Sequence, residues 1–88
     1  MNDSHDSPFF HEASSTVRFW VDVGGQVFGA SVGAMALHHR YRPAAQGEDP
    51  LETFRDNRAE IEAIVRTRVA AGSLEPVMLR EHDLRVQP

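Results

Sequence analysis

Cysteine is absent from the 88 residues, and so is lysine. Without cysteine there is no disulfide to staple the fold and no thiolate for a soft metal ion. Without lysine all side-chain positive charge outside histidine is arginine, nine residues against thirteen acidic ones, for a formal net charge of -4. That balance argues against a broad basic surface for duplex nucleic acid. Long hydrophobic runs are missing too. The longest lies in the mid-thirties and is only a few residues, far short of the ~20 a membrane-spanning helix needs. The first residues offer neither the cationic start nor the apolar stretch of a secretory signal, so the expectation is a soluble, cytoplasmic protein with no membrane partner. What remains is 41% hydrophobic, enough for one small core and too little for two. A core of that size is marginal alone and gains from a homo-oligomeric interface.

Residues 1–13 mix polar residues and Pro8 with an isolated Phe9-Phe10 pair and show no sustained period, which reads as a disordered or loosely docked N-terminal arm. Residues 14–88 form the single domain. From Thr16 the chain alternates, with Val17, Phe19, Val21 and Val23 on one side and Arg18, Trp20 and Asp22 on the other, the pattern of a half-buried strand. Gly24-Gly25 supplies the positive φ angles of a two-residue hairpin loop. That loop sets a register in which Val21 faces Phe28, Phe19 faces Ala30 and Val17 faces Val32, with Trp20 opposite Gly29 on the other face. Gly33 serves as N-cap of a short helix over 34–41. Asp49, Pro50 and Glu52 then form a strong helix start, and the helix runs on one apolar stripe (Leu51, Phe54, Ile61, Ile64, Val65 and Val69) to a terminator at Gly72. Val77 and Leu79 point inward from a short last strand, and a turn over Glu81 to Leu84 closes the core with Leu84. The fold class is α+β: a small antiparallel sheet, made of a β-hairpin plus a C-terminal strand, packed on two helices in the order β-β-α-α-β.

Val17-Arg18-Phe19, then Val32 to Leu37 and Tyr41, then the Phe-x-x-Asn-Arg-x-x-Ile run from Phe54 to Ile61, then Val77-Met78-Leu79 before Asp83-Leu84, resemble a small bacterial family catalogued as domain of unknown function 1488. The resemblance covers about residues 15 to 84, and order and spacing carry it more than any single motif. It implies a compact stand-alone α+β domain and carries no established activity, cofactor or substrate. This chain departs from the family pattern at Gly33 and Met35, where members more usually have a Ser and a Glu, so its first helix is capped less strongly.

Arg58 and Arg68 fall close to the apolar stripe of the long helix, where a charge needs a partner. The structural expectation is that Arg58, with Asn57, fastens the helix to a loop or strand end, through backbone carbonyls or a carboxylate such as Asp22. The alternative is an anion anchor, which makes the protein a small anionic-ligand sensor. Arg18 and Trp20 on the outer sheet face, with Phe9 and Phe10 from the arm, are the candidate interaction surface, because Trp and Arg are enriched at interface hot spots. The competing expectation is that Trp20 buries itself over Gly29 beneath the arm. A third possibility is a nucleic-acid-linked transcriptional regulator with Arg18, Arg40, Arg42, Arg55, Arg58 and Arg66 as a local basic strip.

Adjacent His38 and His39 point about 100° apart on a helix and do not chelate one ion, so no metal or cofactor is expected. No serine has a His-carboxylate set at recognisable spacing, so no catalytic residue is assigned and an enzyme is not expected. The preferred function is an accessory or interaction module acting through the outer sheet face, with an unidentified protein or a second copy of the chain as partner.

Overall fold

The computed structural model describes residues 7–44 and 46–84. The alternation from Thr16 becomes strand β2 (Thr16–Val23), which turns at Gly24 (φ +62°) and Gly25 (φ +87°) into β3 (Gln26–Gly33). The turn is held from within, since the Gly25 amide donates to Asp22 Oδ1 at 2.9 Å. Every expected hairpin pair is present, including Val17 with Val32, Phe19 with Ala30, Val21 with Phe28 and Trp20 with Gly29. A three-residue strand, β1 (Phe9–His11), pairs antiparallel to the start of β2, and β4 (Val77–Leu79) pairs with β3, giving the sheet order β1-β2-β3-β4.

The helices are α1 (Ala34–Tyr41), α2 (Pro50–Asp56), α3 (Arg58–Ala70) and the single turn α4 (Glu81–Leu84). Gly33 supplies no side-chain cap to α1. The carbonyl of Ser15 takes the Ala34 amide instead, at 2.9 Å, so the loop before β2 does the capping. At α2 the expected cap is in place: Asp49 Oδ1 accepts the Leu51 amide at 3.0 Å and Pro50 sits at the helix start. The terminator also holds, with Gly72 at φ +103° just beyond α3.

The α+β class and the sheet packed on helices are as the sequence leads one to expect, with three differences of detail. Phe9–His11, assigned to a loose arm, is a strand; three residues are too few to display a period. Residues 1–6 of that arm lie outside the described residues. Next, β4 runs parallel to β3, so the sheet is antiparallel only across β1, β2 and β3. The long crossover through α1, α2 and α3 brings the chain back to the end of the sheet where β3 began. Finally, the long helix is broken at Asn57 (φ -123°, ψ 23°). The Asn57 amide bonds to Phe54 O at 3.0 Å, and its side-chain Nδ2 takes the displaced Thr53 carbonyl at 2.9 Å. Asparagine thus satisfies the break it causes.

All helices lie on one side of the sheet. Between the layers Val17, Phe19 and Val21 of β2 meet Leu37, Phe54 and Ile61, each at most 1% exposed. Phe19 and Phe54 pack ring to ring at 4.6 Å, tilted 41°. Leu84 closes one end as expected. The shortest principal extent, 22 Å, is the thickness of one sheet and one helix layer.

Tyr41 marks the rim of this core. Its hydroxyl donates to Glu60 Oε1 at 3.1 Å, and burial together with the Glu60 charge pushes its pKa from 10.0 up to about 12, against a smaller opposing pull from Arg40. Because the raised pKa favours the neutral phenol in the folded chain, this stabilisation is complete below pH 10.0 and is lost as pH rises towards about 12. Tyr41 is the only tyrosine, so phenolate absorbance reports it alone. The native titration is expected to lie above that of the urea-unfolded chain; coincident curves would refute the burial of this phenol.

Candidate functional site

The face of the sheet away from the helices is built by alternation, so its residues follow from the register. β1 contributes Phe9, β2 contributes Arg18, Trp20 and Asp22, β3 contributes Val27, Gly29 and Ser31, and β4 contributes Met78. Among the described residues, three of the five exposed large hydrophobic ones are on this face: Phe9 at 42%, Val27 at 45% and Met78 at 51%. That concentration is what makes the face unusual.

Trp20 lies over Gly29. A Cβ at position 29 would stand 3.6 Å from Trp20 Nε1 and 3.1 Å from Glu75 Oε2, so the glycine admits both neighbours. Glu75 Oε2 accepts the Gly29 amide at 2.7 Å, and this carboxylate continues the β3–β4 ladder one step before the start of β4. The Phe9 ring flanks Trp20 at 6.1 Å, tilted 34°. Trp20 is therefore half covered, by its own glycine and its own arm. Beside it is a shallow cavity of about 300 Å³, lined among others by Arg18, Trp20, Ser31, Pro76 and Met78. Arg18 is exposed and, among the described residues, has no ion-pair or hydrogen-bond partner.

Of the four residues expected on this surface, the structure brings together three. Arg18, Trp20 and Phe9 share the outer face, but Phe10 pairs with Val17 and turns to the opposite side, where it packs on the core. Adjacent residues of a strand must separate in this way. Met78 belongs to the surface and was missed, although the inward positions of Val77 and Leu79 already place it outward.

Asn57 and Arg58 do not form an anchor to a loop or strand. Asn57 serves the helix break, and Arg58 Nε donates to Glu62 one turn on, at 2.8 Å, with its guanidinium 5.9 Å from the centre of the Phe54 ring. Arg66, not Arg58, reaches Asp22, through its backbone carbonyl. The fastening role falls to Arg68, which donates to Ser73 Oγ, Met78 O and Asp83 Oδ2 at 2.9, 3.3 and 2.8 Å. The six-arginine strip is not assembled either. Arg40, Arg42, Arg58 and Arg66 pair with Glu60, Asp56 and Glu62 on the helical layer, while Arg18 is on the other side of the sheet.

The histidines divide in the same manner. His38 Nδ1 meets Glu48 Oε1 at 2.6 Å and His39 Nδ1 meets Glu81 Oε2 at 3.0 Å. Glu48 also accepts from the fully buried Thr53 hydroxyl at 2.7 Å. Burial alone would raise the pKa of Glu48, but the hydrogen bonds from Thr53 and His38, with the nearby positive charge, hold it below the usual carboxylate value. This contact pins the loop before α2 onto α1. Among the described residues no three His, Asp or Glu side chains gather as a metal site would require, and no helix is long and apolar enough to cross a membrane.

The family model for Protein of unknown function (DUF1488) matches residues 5–79. The chain belongs to the DUF1488 family. The DUF1488 match runs from before β1 to the end of β4, so it contains the whole outer face, Phe9 and Met78 included. The turn α4 falls beyond it. No curated protein and no solved structure matches this DUF1488 chain.

Proposed function

We propose that this chain is a non-enzymatic interaction module that binds protein through the outer face of its sheet. The observation that carries the proposal is the gathering of Phe9, Val27 and Met78 around Trp20 and an exposed Arg18 whose side chain has no partner among the described residues, on a face that the helices leave bare. Apolar side chains rimmed by a guanidinium are the composition of a binding surface. The anion-sensor and nucleic-acid alternatives have less support, because Arg58 is engaged with Glu62, and Arg40 and Arg42 pair with Glu60 and Asp56. Site-specific photo-crosslinking in living cells tests the proposal. A benzophenone side chain at Met78 or Val27 is expected to form protein adducts, and one at the exposed Arg55 of α2 is not. Equal labelling at all three positions, or none at Met78 and Val27, would overturn it.

A further inference from the structure

Resting on the interaction reading above, we infer that the occupant of the outer face is a second copy of this chain, packed sheet to sheet about a two-fold axis that crosses β2 at Trp20. The charges of β2 are what select this partner. Trp20 stands midway between Arg18 and Asp22, two residues from each, and all three side chains share one face. Arg18 has no partner among the described residues, while Asp22 engages one oxygen, Oδ1, with the Gly25 amide. The two charged positions are ~13 Å apart along the strand.

A two-fold axis lying in the interface, perpendicular to β2 and over Trp20, reverses the strand direction. It sets Arg18 over the partner subunit's Asp22 and, at the same time, Asp22 over the partner subunit's Arg18. An isologous interface must be self-complementary, and this arrangement pairs the Arg18 and Asp22 charges of β2 with their opposites twice. A face that recognised a wholly acidic or wholly basic partner would leave one of the two unsatisfied.

The same operation arranges the apolar residues. Val27 lies across from Asp22 and Ser31 lies across from Arg18, so the axis carries Val27 onto the row of Ser31 and Met78. The partner subunit's Val27 then stands at the mouth of the cavity of about 300 Å³ beside Met78, and each copy fills the hollow of the other. Gly29 lies on the axis, and the space over it is taken by the Trp20 indole and the Glu75 carboxylate, so the two indoles meet at the centre of the interface. Packed sheets cross at roughly 30°, which this geometry accommodates by rotation about Trp20. The strand lengths limit the contact to about 400–500 Å² per copy, at the low end for specific interfaces, so the dimer dissociates in the micromolar range, with Kd on the order of 1–100 µM.

The test is sedimentation of the full chain over a concentration series that brackets this range. The natural chain is expected to dimerise reversibly. Arg18→Asp and Asp22→Arg should each raise Kd at least about tenfold, since each places like charges face to face twice, and the double exchange R18D/D22R should restore Kd to within about threefold of the natural chain. Because Asp22 also holds the hairpin turn, Val27→Lys serves as the independent variant. It leaves the turn intact, and it too should weaken the dimer about tenfold, with circular dichroism confirming the fold of every variant. A natural chain that stays monomeric up to millimolar concentration overturns the inference, as does a double exchange that fails to recover. A monomer that still gives crosslinks at Met78 in cells removes the second copy as partner and leaves the interaction module standing, whereas a monomer without crosslinks removes both.

Discussion

Phe54→Ala is expected to cost about 3–5 kcal/mol of folding free energy, the largest loss from any single truncation considered for this chain. Phe54 is fully buried and packs on Phe19 at 4.6 Å, and it is the last apolar side chain before the break at Asn57. Truncating it opens a cavity between α2 and β2 that neighbouring side chains cannot collapse into, because α2 is held at its start by the Asp49 cap and at its end by Asn57. Small domains have ~5 kcal/mol in total, so the variant should keep only about 0–2 kcal/mol at ambient temperature, with a fall in Tm of more than about 12 °C. Urea unfolding followed by Trp20 emission would measure it. A loss below about 1.5 kcal/mol would mean that the two-ring contact is not central to the core.

Asp83→Ala should be the most damaging change to a polar group, at about 2–3 kcal/mol. Asp83 is 7% exposed, and its Oδ2 accepts both the Arg80 amide and Arg68 Nη1 at 2.8 Å. Removing the carboxylate strands a backbone donor and frees the guanidinium that ties α3 to the loop at Ser73, to β4 and to α4. The figure stays below the 3–5 kcal/mol of a fully buried ion pair because the Arg68 side chain is 33% exposed and gains water when its partner is lost. The Arg58–Glu62 pair makes a useful contrast. It has the same donor and acceptor chemistry at 2.8 Å, yet Arg58 is 40% exposed and the pair lies within one helix, so Glu62→Ala should cost only about 0.5 kcal/mol. Equal losses for Asp83→Ala and Glu62→Ala would show that Arg68 fastens nothing.

The hairpin was legible in the sequence down to its register, because a period of two residues and a Gly-Gly loop leave one way to pair apolar faces. The Asp49-Pro50 helix start was legible for a similar reason: each residue solves a local problem that does not depend on the rest of the chain. The break at Asn57 was hidden, since the stripe of Phe54, Ile61 and Val65 continues through it and asparagine is an ordinary residue on a helix. The direction of β4 depended on the course of the crossover, which composition and spacing do not describe. At the surface, alternation alone was sufficient to place Arg18, Trp20 and Gly29 together, and would have separated Phe9 from Phe10 had β1 been recognised. Arginine partners were beyond reach. Which carboxylate a guanidinium finds is decided by tertiary proximity, so the fastening expected of Arg58 is made by Arg68.

The carboxylate of Glu75 on the Gly29 amide bears on how this protein behaves at high concentration. Beyond β4 the margin of β3 is unpaired, and such a margin is a template on which further strands can grow without limit. Here a negatively charged side chain occupies the first vacant donor, and both outermost strands are only three residues long. Lateral growth into fibrils meets a charged stop at the β3–β4 border and only a three-residue strand at the other.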